Sequence, residues 1–550
     1  MKDSFCRCGW MAWGLLLLAG LVLWAGCGRK NYKQNADEEV YKFIDKRWEP
    51  EFGPRVNYRI TGAPPAPNDI DAEHVASIER TVSDTGLLTI PQAAAIATSR
   101  NRDYHLNKEL LYTLALDMRL VRHVYETQLF GGGKALYAND GTDEGVVVEP
   151  NLGFNRLLAS GTLVTARMGA RWADTLLGFG DSGLAAVFGA SITQPLLRGS
   201  NPRVVREPLT QAEHTALYQI RTVSRFRKLL LVSVVTQYYE SLELQDVARN
   251  AELHVQSLQT LENCVEKLVE AARLPKEELD QIRQEILRAR DAHVVACRDY
   301  ETFLDLYKIT LGVAPTLEFD VEAQVFEALK AKGIPPPDIA LNEAVETALC
   351  RRLDLTNAAD MVFDSQRAVY VAADALRAGL SVFGSAEVTT KGDKATAAGV
   401  SLDLPLDRVA EQNIYAKALV LLNQRQREYD LVADTVRMEV REAHRRLLET
   451  AERYQILSEG LRLAQARVEN TFALLRYARL SSRRVLTALE HLRDARNEAA
   501  DALTDYAIAA LNFYRDTEIL QVRPDGMWQE GPDVPVSPIA TTANTSVKIE

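Results

Sequence analysis

Residues 258–274 read LQTLENCVEKLVEAARL and close a run of 66 residues, 209–274, that contains neither Gly nor Pro. Apolar residues in this stretch are spaced three or four positions apart, as in the seam of a coiled coil. A continuous helix of that length extends about 100 Å at 1.5 Å per residue. Helices of globular proteins average about 11–12 residues, so the run predicts an elongated helical architecture. The seam residues are Leu258, Leu261, Val265 and Leu268.

Two further runs predict more long helices. After Pro275, the 36 residues 276–311 again lack Gly and Pro, and Gly312 is predicted to end that helix. Near the C-terminus, 118 residues from 406 to 523 lack Pro and contain Gly460 as their only glycine. The same three–four seam recurs there, at Tyr454, Leu457, Leu461, Val468, Phe472 and Leu475.

A constant offset relates the two halves of the chain. The sequence Ala-Arg-Leu at 272–274 recurs at 478–480, and matches at this offset of 206 continue over about 35 residues. Earlier in each half the offset is 251, which places Arg100 on Arg351 and Asp103 on Asp354. One offset held across such a window indicates an internal duplication.

Between the short and long helices, each half contains Gly-rich segments of alternating polarity. This pattern predicts strands at about 146–197 in the first half and at about 379–406 in the second. The first segment is longer, and its extra residues, about 130–190, could add strands or form an external loop. The run Gly131–Gly133 followed by Lys134 lacks the other residues of a phosphate-binding loop and is predicted to be a plain loop.

Composition excludes several functional classes. The chain carries 64 basic and 75 acidic residues, a net charge of -11, and has no basic block of the kind that nucleic acid requires. It has one long apolar run, at the N-terminus, so it is not a polytopic helical membrane protein. No catalytic residue, metal site or cofactor is predicted, because the eight histidines form no pair spaced for a metal. They are His74, His105, His123, His214, His254, His293, His444 and His491.

The N-terminus has the features of an export signal. Lys2 and Arg7 precede an apolar stretch at 11–23, and residues 23–27 read LWAGC. This end resembles a bacterial lipobox, with Trp24 where Leu is usual. The resemblance implies that residues 1–26 are removed and that Cys27 is lipidated. An uncleaved membrane anchor is the alternative. Gly28 favours the outer membrane as the destination.

Five segments of the chain resemble the bacterial outer-membrane efflux channel family, of which TolC is the namesake. The resemblance covers about 85–520, most of the mature chain. Each half opens with a motif like the family's first helix, and the strands end in sequences similar to the family's S-x-x-Q-P-L-L-R-G signature. The segments are LTIPQA at 88–93, LNEA at 341–344, SITQPLLRG at 191–199, LDLPL at 402–406 and YARLSSRRVL at 477–486.

The resemblance implies a fold that is mainly α with a small β part, built as a duplicated helix, β-hairpin and long helix pair. It implies a homotrimer with a twelve-stranded outer-membrane β-barrel that continues into a periplasmic α-helical barrel. One hairpin from each half gives four strands, which are too few for a barrel with a lumen, whereas three chains give twelve. The implied activity is passive conduction, with a periplasmic adaptor protein and an inner-membrane transporter as partners.

These predictions divide the chain into six parts. They are a signal peptide (1–26), an N-terminal tether or arm (27–85), a first repeat (86–320), a linker (321–339), a second repeat (340–523) and a disordered tail (524–550). The first repeat would contain long helices at about 203–274 and 276–312. The second would contain long helices at about 407–479 and 481–520, preceded by one helix at about 340–377.

The turns between the paired long helices are the candidate functional tips. In the family, adaptors and transporters dock there, so the turn residues are candidates for docking or for holding the entrance shut. Asp280 and Glu285 are further candidates for contact with a cation or substrate. Ordinary solvated turns, and a structural periplasmic coiled-coil lipoprotein without channel activity, are the alternatives. The docking candidates are Arg273, Leu274, Pro275, Glu277, Glu278, Arg479, Leu480, Ser481, Ser482, Arg483 and Arg484.

Overall fold

The computed structural model describes residues 29–53, 55, 58–60, 72–139, 144–177, 183–332, 340–390, 392–477, 479–522 and 528–529. Within these residues the chain is mainly helical, with one six-stranded antiparallel sheet and two pairs of two-residue strands. The predicted signal peptide 1–26, Cys27 and nearly all of the tail 524–550 lie outside them.

The elements follow one order in both halves, with short helices, strands and then a pair of long helices. The first half contains α1 (Arg29–Arg47), a 3-10 turn (Pro50–Phe52), α2 (Ala72–Thr85), β1 (Leu87–Leu88), α3 (Ile90–Arg100), α4 (Arg102–His123), β2 (Gln128–Asn139), β3 (Glu144–Leu157), β4 (Leu163–Leu177), β5 (Gly183–Pro195), α5 (Pro202–Val205), α6 (Glu207–Glu270) and α7 (Lys276–Leu311). The second half contains β6 (Asp320–Val321), α8 (Gln324–Lys332), α9 (Leu341–Arg351), α10 (Leu353–Ala375), β7 (Gly379–Thr389), β8 (Lys394–Asp403), α11 (Val409–Arg476), α12 (Ser482–Asp516), β9 (Gln521–Val522) and β10 (Trp528–Gln529).

The helix boundaries repeat at the offsets read from the sequence. The ends of α6 and α11, and likewise the starts of α7 and α12, are related by the offset of 206. The predicted single helix at about 340–377 is wrong, because Arg352 takes an extended conformation (φ -66°, ψ 120°) and separates α9 from α10. Asn101 separates α3 from α4 in the same way, at the position that the offset of 251 assigns to it. The break is therefore part of the duplicated unit.

The main sheet has the order β2-β3-β4-β5-β7-β8, with every neighbouring pair antiparallel. Its central pairing joins the two halves, with Val187 of β5 opposite Thr389 of β7. The first half thus supplies four strands and the second half two. The extra residues of about 130–190 therefore add strands, so that the sheet has six where one hairpin from each half gives four. The twelve-stranded trimeric barrel stays a prediction.

Strand β2 lies outside the predicted strand range of about 146–197 and contains the predicted loop Gly131–Gly133. A Cβ atom at Gly131 would lie 2.8 Å from Cδ2 of Leu152 on β3, and one at Gly132 would lie 3.1 Å from Oδ1 of Asn151. Side chains of the partner strand therefore occupy the space beside these two glycines. Glycines in a strand mark such close approaches, but in a sequence they have the appearance of a loop.

The N-terminal segment 27–85 is not an extended tether. Its helix α1 buries Val40, Phe43 and Ile44 in the main core, and Asp37 accepts a 2.6 Å hydrogen bond from the hydroxyl of Tyr112 on α4. The sequence does not predict this packing, because the few apolar residues of α1 are separated by charged ones. They nevertheless lie on one side of the helix.

The predicted linker 321–339 is also partly structured. Val321 pairs in a short parallel ladder with Leu88, and Phe326 on α8 is 3% exposed within the main core. The Pro-rich residues 333–337 lie outside the described part of the chain. Core residues on both sides of this connection therefore join the two repeats into one packed unit.

Candidate functional site: a two-faced sheet and paired helical tips

One face of the six-stranded sheet is mainly apolar, with Arg156, Gln194 and Lys394 as its polar members near the ends of strands. Register pairs such as Leu152–Met168 and Phe188–Val388 place apolar side chains beside one another on this face. Many of them are 40% exposed or more in the single chain, which is unusual for side chains of this size. The apolar face comprises Leu129, Val146, Val148, Leu152, Phe154, Val164, Met168, Phe188, Ile192, Val382, Val388, Val400 and Leu402.

The opposite face of the same strands is polar. Because side chains alternate along a strand, the polar residues occupy the positions between those of the apolar face. Several of them are register partners on neighbouring strands, such as Lys134 and Glu149. Two-faced strands of this kind, apolar on one side and polar on the other, are the pattern of membrane β-barrels. The polar face comprises Gln128, Lys134, Glu149, Asn151, Asn155, Thr165, Arg167, Ser191, Thr193, Ser381, Ser385, Glu387 and Ser401.

An ion pair crosses the polar face above β5. The Nη2 atom of Arg167 on β4 lies 2.8 Å from Oε2 of Glu387 on β7. Gly189 lies between them in the register and leaves the space that the arginine crosses, since a Cβ there would lie 3.1 Å from Nε of Arg167. The pair leaves no local pattern in the sequence, because its members are 220 residues apart.

Two aromatic rings cover glycines on the polar face. A Cβ at Gly153 would lie 2.4 Å from Cζ of Phe130, and one at Gly399 would lie 2.7 Å from Cζ of Phe383. Each ring therefore fills the gap left by the missing side chain on the neighbouring strand, which holds the register of an edge hairpin. The arrangement is the same at both edges of the sheet.

The base of the sheet is joined closely to the helices. The β3–β4 turn, 158–162, contacts the end of β5, where Nε2 of Gln194 donates to the carbonyl of Ser160 at 3.2 Å. Gly161 in this turn has φ +77°, and a Cβ there would lie 2.4 Å from the carbonyl oxygen of Gly199. The turn is thus packed against the chain that leads into α6.

At the far end of the molecule, the two pairs of long helices end side by side. A buried cluster contains residues from all four helices, including Val265, Ile282, Leu475 and Val485. Between α6 and α7 the chain turns through Ala272, which has φ +52° although it is not glycine. The two turns are therefore packed together as one tip.

A polar contact ties the two turns directly. The backbone N–H of Ser482, the first residue of α12, donates to Oε2 of Glu278 in the first turn of α7 at 2.9 Å. A carboxylate at a helix N-terminus stabilises the free N–H groups there. Both residues lie at the predicted tips, but the contact between them has no counterpart in the sequence pattern.

The other predicted tip residues are mostly exposed. Leu274 and Leu480 are half-buried against the tip cluster, whereas Ser482 is fully buried. Arg283, which the sequence did not single out, pairs with Glu262 at 2.8 Å and Glu266 at 3.4 Å across the α6–α7 hairpin. The exposed positions are Arg273, Pro275, Glu277, Arg479, Ser481, Arg483 and Arg484.

The two predicted cation contacts at the tip are not brought together into a site. Asp280 is exposed, and Oε1 of Glu285 lies 2.5 Å from the guanidinium of Arg288 one helical turn away. Among the described residues, no group of three or more His, Cys, Asp or Glu side chains is arranged to hold a metal ion.

A half-buried acidic cluster lies midway along the helices. Burial, followed by the nearby carboxylates of Asp501 and Asp505, raises the pKa of Glu243 on α6 to about 7. Burial also raises the pKa of Glu240, one turn earlier. Arg453 of α11 binds both aspartates, at 2.8 Å and 2.9 Å. The cluster links α6, α11 and α12, and its net charge depends on whether Glu243 is protonated.

Exposed apolar side chains recur along one side of α11, with charged residues such as Glu442, Arg445 and Glu449 between them. Successive members of this apolar stripe lie about two, five, two and three helical turns apart, so they share one side of the helix. Each is 43% exposed or more in the single chain. A helix face of this kind requires a neighbour. The stripe comprises Leu431, Met438, Ile456, Leu463 and Leu474.

No known family profile and no curated protein matches the chain. Solved structures do match. A structure of CusC, described in terms of the conformational changes that accompany folding and transmembrane channel formation, matches with a TM-score of 0.59 and 14% identity. The match covers 78% of this chain and 91% of the CusC chain. The Campylobacter jejuni CmeC outer membrane channel gives 0.57 at 13% identity, over 80% and 87%. The Neisseria gonorrhoeae MtrE outer membrane channel gives 0.58 at 13% identity, over 78% and 88%.

This chain has the TolC-like outer-membrane channel fold. The resemblance predicted from the sequence is thus confirmed at the level of the fold. Both CmeC and MtrE are described as outer membrane channels. Among the described helices of this chain, none is both long and apolar enough to cross a membrane.

Proposed function

We propose that this chain is the outer-membrane channel of a tripartite efflux or type I secretion system. It would passively conduct substrates that an inner-membrane transporter and a periplasmic adaptor deliver. The observation that carries the proposal is the two-faced sheet at one end of helices 64 and 68 residues long. At 1.5 Å per residue such helices extend about 100 Å, which matches a tunnel across the periplasm.

A trimer supplies what the single chain lacks. Each sheet has two unpaired edges, β2 and β8, which a closed barrel would remove. The apolar stripe on α11 would pack against a helix of the next protomer, and the helices together would enclose the tunnel. In this arrangement the apolar sheet face meets lipid and the polar face lines the lumen.

The first test is particle mass in detergent together with conductance in planar bilayers. We expect a trimer that forms discrete ion channels. Met438→Asp places a charge in the proposed interface and should reduce the trimeric fraction. Arg437→Asp, the exposed neighbour, is the matched control and should leave it unchanged. A monomer or dimer without conductance would refute the channel and support the structural coiled-coil lipoprotein.

The lipid anchor is a separate part of the proposal. Cys27 would carry the acyl chains, and α1 begins two residues later, at Arg29, and packs onto α4. A lipidated Cys27 would therefore be tied closely to the folded protein. Labelling with a radioactive fatty acid should modify the wild-type chain and not Cys27→Ser. Labelling of both proteins would contradict this assignment, as would labelling of neither.

Docking would take place at the tip. The exposed side chains of the second turn are mainly cationic, with Arg479, Arg483 and Arg484. In the first turn the exposed cations Arg273 and Lys276 lie beside the acidic Glu277. Replacing Arg483 and Arg484 by Glu should weaken binding of the adaptor and reduce export, while trimer mass and conductance remain unchanged. Unchanged export would show that these arginines only solvate the turn.

A further inference from the structure

We infer that all six strands of each chain enter one barrel wall, so that three chains build an eighteen-stranded pore (3 × 6) for bulky hydrophilic solutes. The inference rests on the proposed trimeric channel and concerns the size class of its substrate. The alternative is a twelve-stranded wall, from β4, β5, β7 and β8 of each chain, with the β2–β3 hairpin outside it.

The β2–β3 hairpin is paired as fully as the other strands. The two strands pair residue by residue from Gln128–Asn155 to Asn139–Glu144, and β3 pairs with β4 from Leu157–Leu163 to Glu144–Leu177. Their lengths, 12 and 14 residues, fall within the range of 10 to 15 shown by the other four strands. A membrane-spanning strand needs about 9–11 residues, so both are long enough.

The two faces of the sheet also continue through this hairpin. Leu129, Leu152 and Phe154 extend the apolar face, and Asn151 and Asn155 extend the polar face. A hairpin standing in water beside a narrower barrel would have no use for a continuous apolar face, which exposes large side chains. In a barrel wall the same face would meet lipid.

Each of the six strands either begins or ends at the base of the sheet, next to the helices. Tyr125, between α4 and β2, donates a 2.6 Å hydrogen bond to the carbonyl of Val205 just before α6. The β3–β4 turn contacts the end of β5 through Gln194. The extra hairpin therefore starts and finishes at the same base as β5 and β7, and it does not branch from the middle or the far rim of the sheet.

Four helices of each chain meet this base, in the order α4, α6, α10, α11. Ion pairs mark two of these contacts near the base, Arg122–Glu213 at 3.2 Å and Arg367–Glu207 at 2.9 Å. Farther from the base, Arg352–Glu439 joins the start of α10 to α11. Helices pack about 8–10 Å apart, so four span about 32–40 Å of circumference. Strands about 4.8 Å apart and tilted about 40° occupy about 6.3 Å each, so six span about 38 Å and four only about 25 Å. The six-stranded wall matches its helical support.

Pore width follows from the strand number. With the same spacing and tilt, eighteen strands close at a backbone diameter of about 36 Å, against about 24 Å for twelve. On the polar face the charges face opposite charges, with Lys134 in register with Glu149 and Arg167 bound to Glu387. Such a lumen would select weakly by charge, so size and hydrophilicity define the substrate class.

Disulfide cross-linking tests which strands meet between protomers. In the full-length trimer, Ala135→Cys on β2 is combined in turn with Thr396→Cys, Ala398→Cys and Val400→Cys on β8. We expect covalent dimers and trimers from at least one combination. In the matched series, Ala170→Cys on β4 replaces Ala135→Cys and should give none, because β3 covers that edge. Cross-linking through Ala170 and not through Ala135 would overturn the inference.

Imaging of the trimer along its axis gives an independent measurement. We expect a β-ring with a backbone diameter of about 36 Å. Deleting 128–157 removes the hairpin with little disturbance, because Gln128 and Asn155 are register partners and the cut ends lie close together. The deletion should narrow the ring to the diameter of a twelve-stranded barrel, about 24 Å. A conducting trimer with equal rings in both proteins would refute only this inference, whereas absence of a trimer would refute the proposed channel itself.

Discussion

Glu278 of one helical hairpin accepts a hydrogen bond from the backbone N–H of Ser482 in the other, at 2.9 Å. The two residues are separated by 204 positions in the chain and meet where both hairpins turn. The contact connects the two repeats at the point farthest from the sheet. Whatever moves one hairpin at the tip must therefore break this bond or carry the other hairpin with it.

Glu278→Ala should loosen the tip. Losing a carboxylate cap costs about 1 kcal/mol, so amide hydrogen exchange in the first turn of α12 should accelerate about fivefold. Glu277→Ala, at the exposed neighbouring position, is the control and should leave exchange unchanged. If the tip gates the channel, conductance should also rise in Glu278→Ala alone. Equal exchange rates in the two variants would show that the bond contributes nothing in solution.

The Arg167–Glu387 pair should set ion selectivity through its charge balance. Arg167→Ala leaves a negative charge on the polar face and should shift the pore toward cations. Glu387→Ala leaves a positive charge and should shift it toward anions. The double variant should return close to wild type. Reversal potentials in a salt gradient measure these shifts, and two single variants with the same sign would contradict a lumenal position for the pair.

Glu243 should make stability depend on pH. Because its folded pKa is raised to about 7, the folded state binds the proton more tightly than the unfolded chain does. Stability should therefore fall as pH rises from about 4.5 to about 7. Glu243→Gln should remove this fall and unfold at a higher temperature than wild type above pH 7. Thermal melting followed by circular dichroism checks both.

The control for this experiment is Glu490→Gln, an exposed position on α12, which should keep the wild-type dependence on pH. If Glu243→Gln showed the same loss of stability between pH 5 and pH 7 as wild type, other groups of the cluster would be responsible.

Gly312→Ala should destabilise the junction between α7 and α3. Gly312 has φ +80°, and a Cβ there would lie 2.3 Å from the carbonyl oxygen of Arg100. Gly86→Ala is the matched control, since Gly86 has φ +67° but nothing within 4 Å of the added atom. Both variants incur about 1 kcal/mol of backbone strain, and only Gly312→Ala adds the clash. Equal melting temperatures would show that the chain relaxes around position 312.

The sequence predicted best what depends on local pattern. The long helices followed from the absence of Gly and Pro, and the duplicated boundaries followed from constant offsets. It failed at β2, where Gly131 and Gly132 lie against side chains of the neighbouring strand β3. It also failed at α1, because the burial of Val40 and Ile44 depends on contacts with distant parts of the chain that form the main core.

The candidate site was predictable only in part, for a related reason. The tip was located because turns between helices have a local signature. The contacts that give it chemical character, such as Glu278–Ser482 and Arg283–Glu262, join residues far apart in the chain or on different helices. No local pattern in the sequence predicts such contacts. The same holds for the ion pair on the polar face of the sheet, because Arg167 and Glu387 are 220 residues apart.

The pairing of β5 with β7 has a consequence for how the protein assembles. Pro195 and Ser381 are partners in this ladder although they belong to different halves of the chain. Contacts of such high sequence separation form late, because closure of the intervening chain must precede them. During export the first four strands would emerge with the edge of β5 open, a template for pairing with the wrong chain. Productive folding would thus require a chaperone that holds this edge until the second repeat arrives.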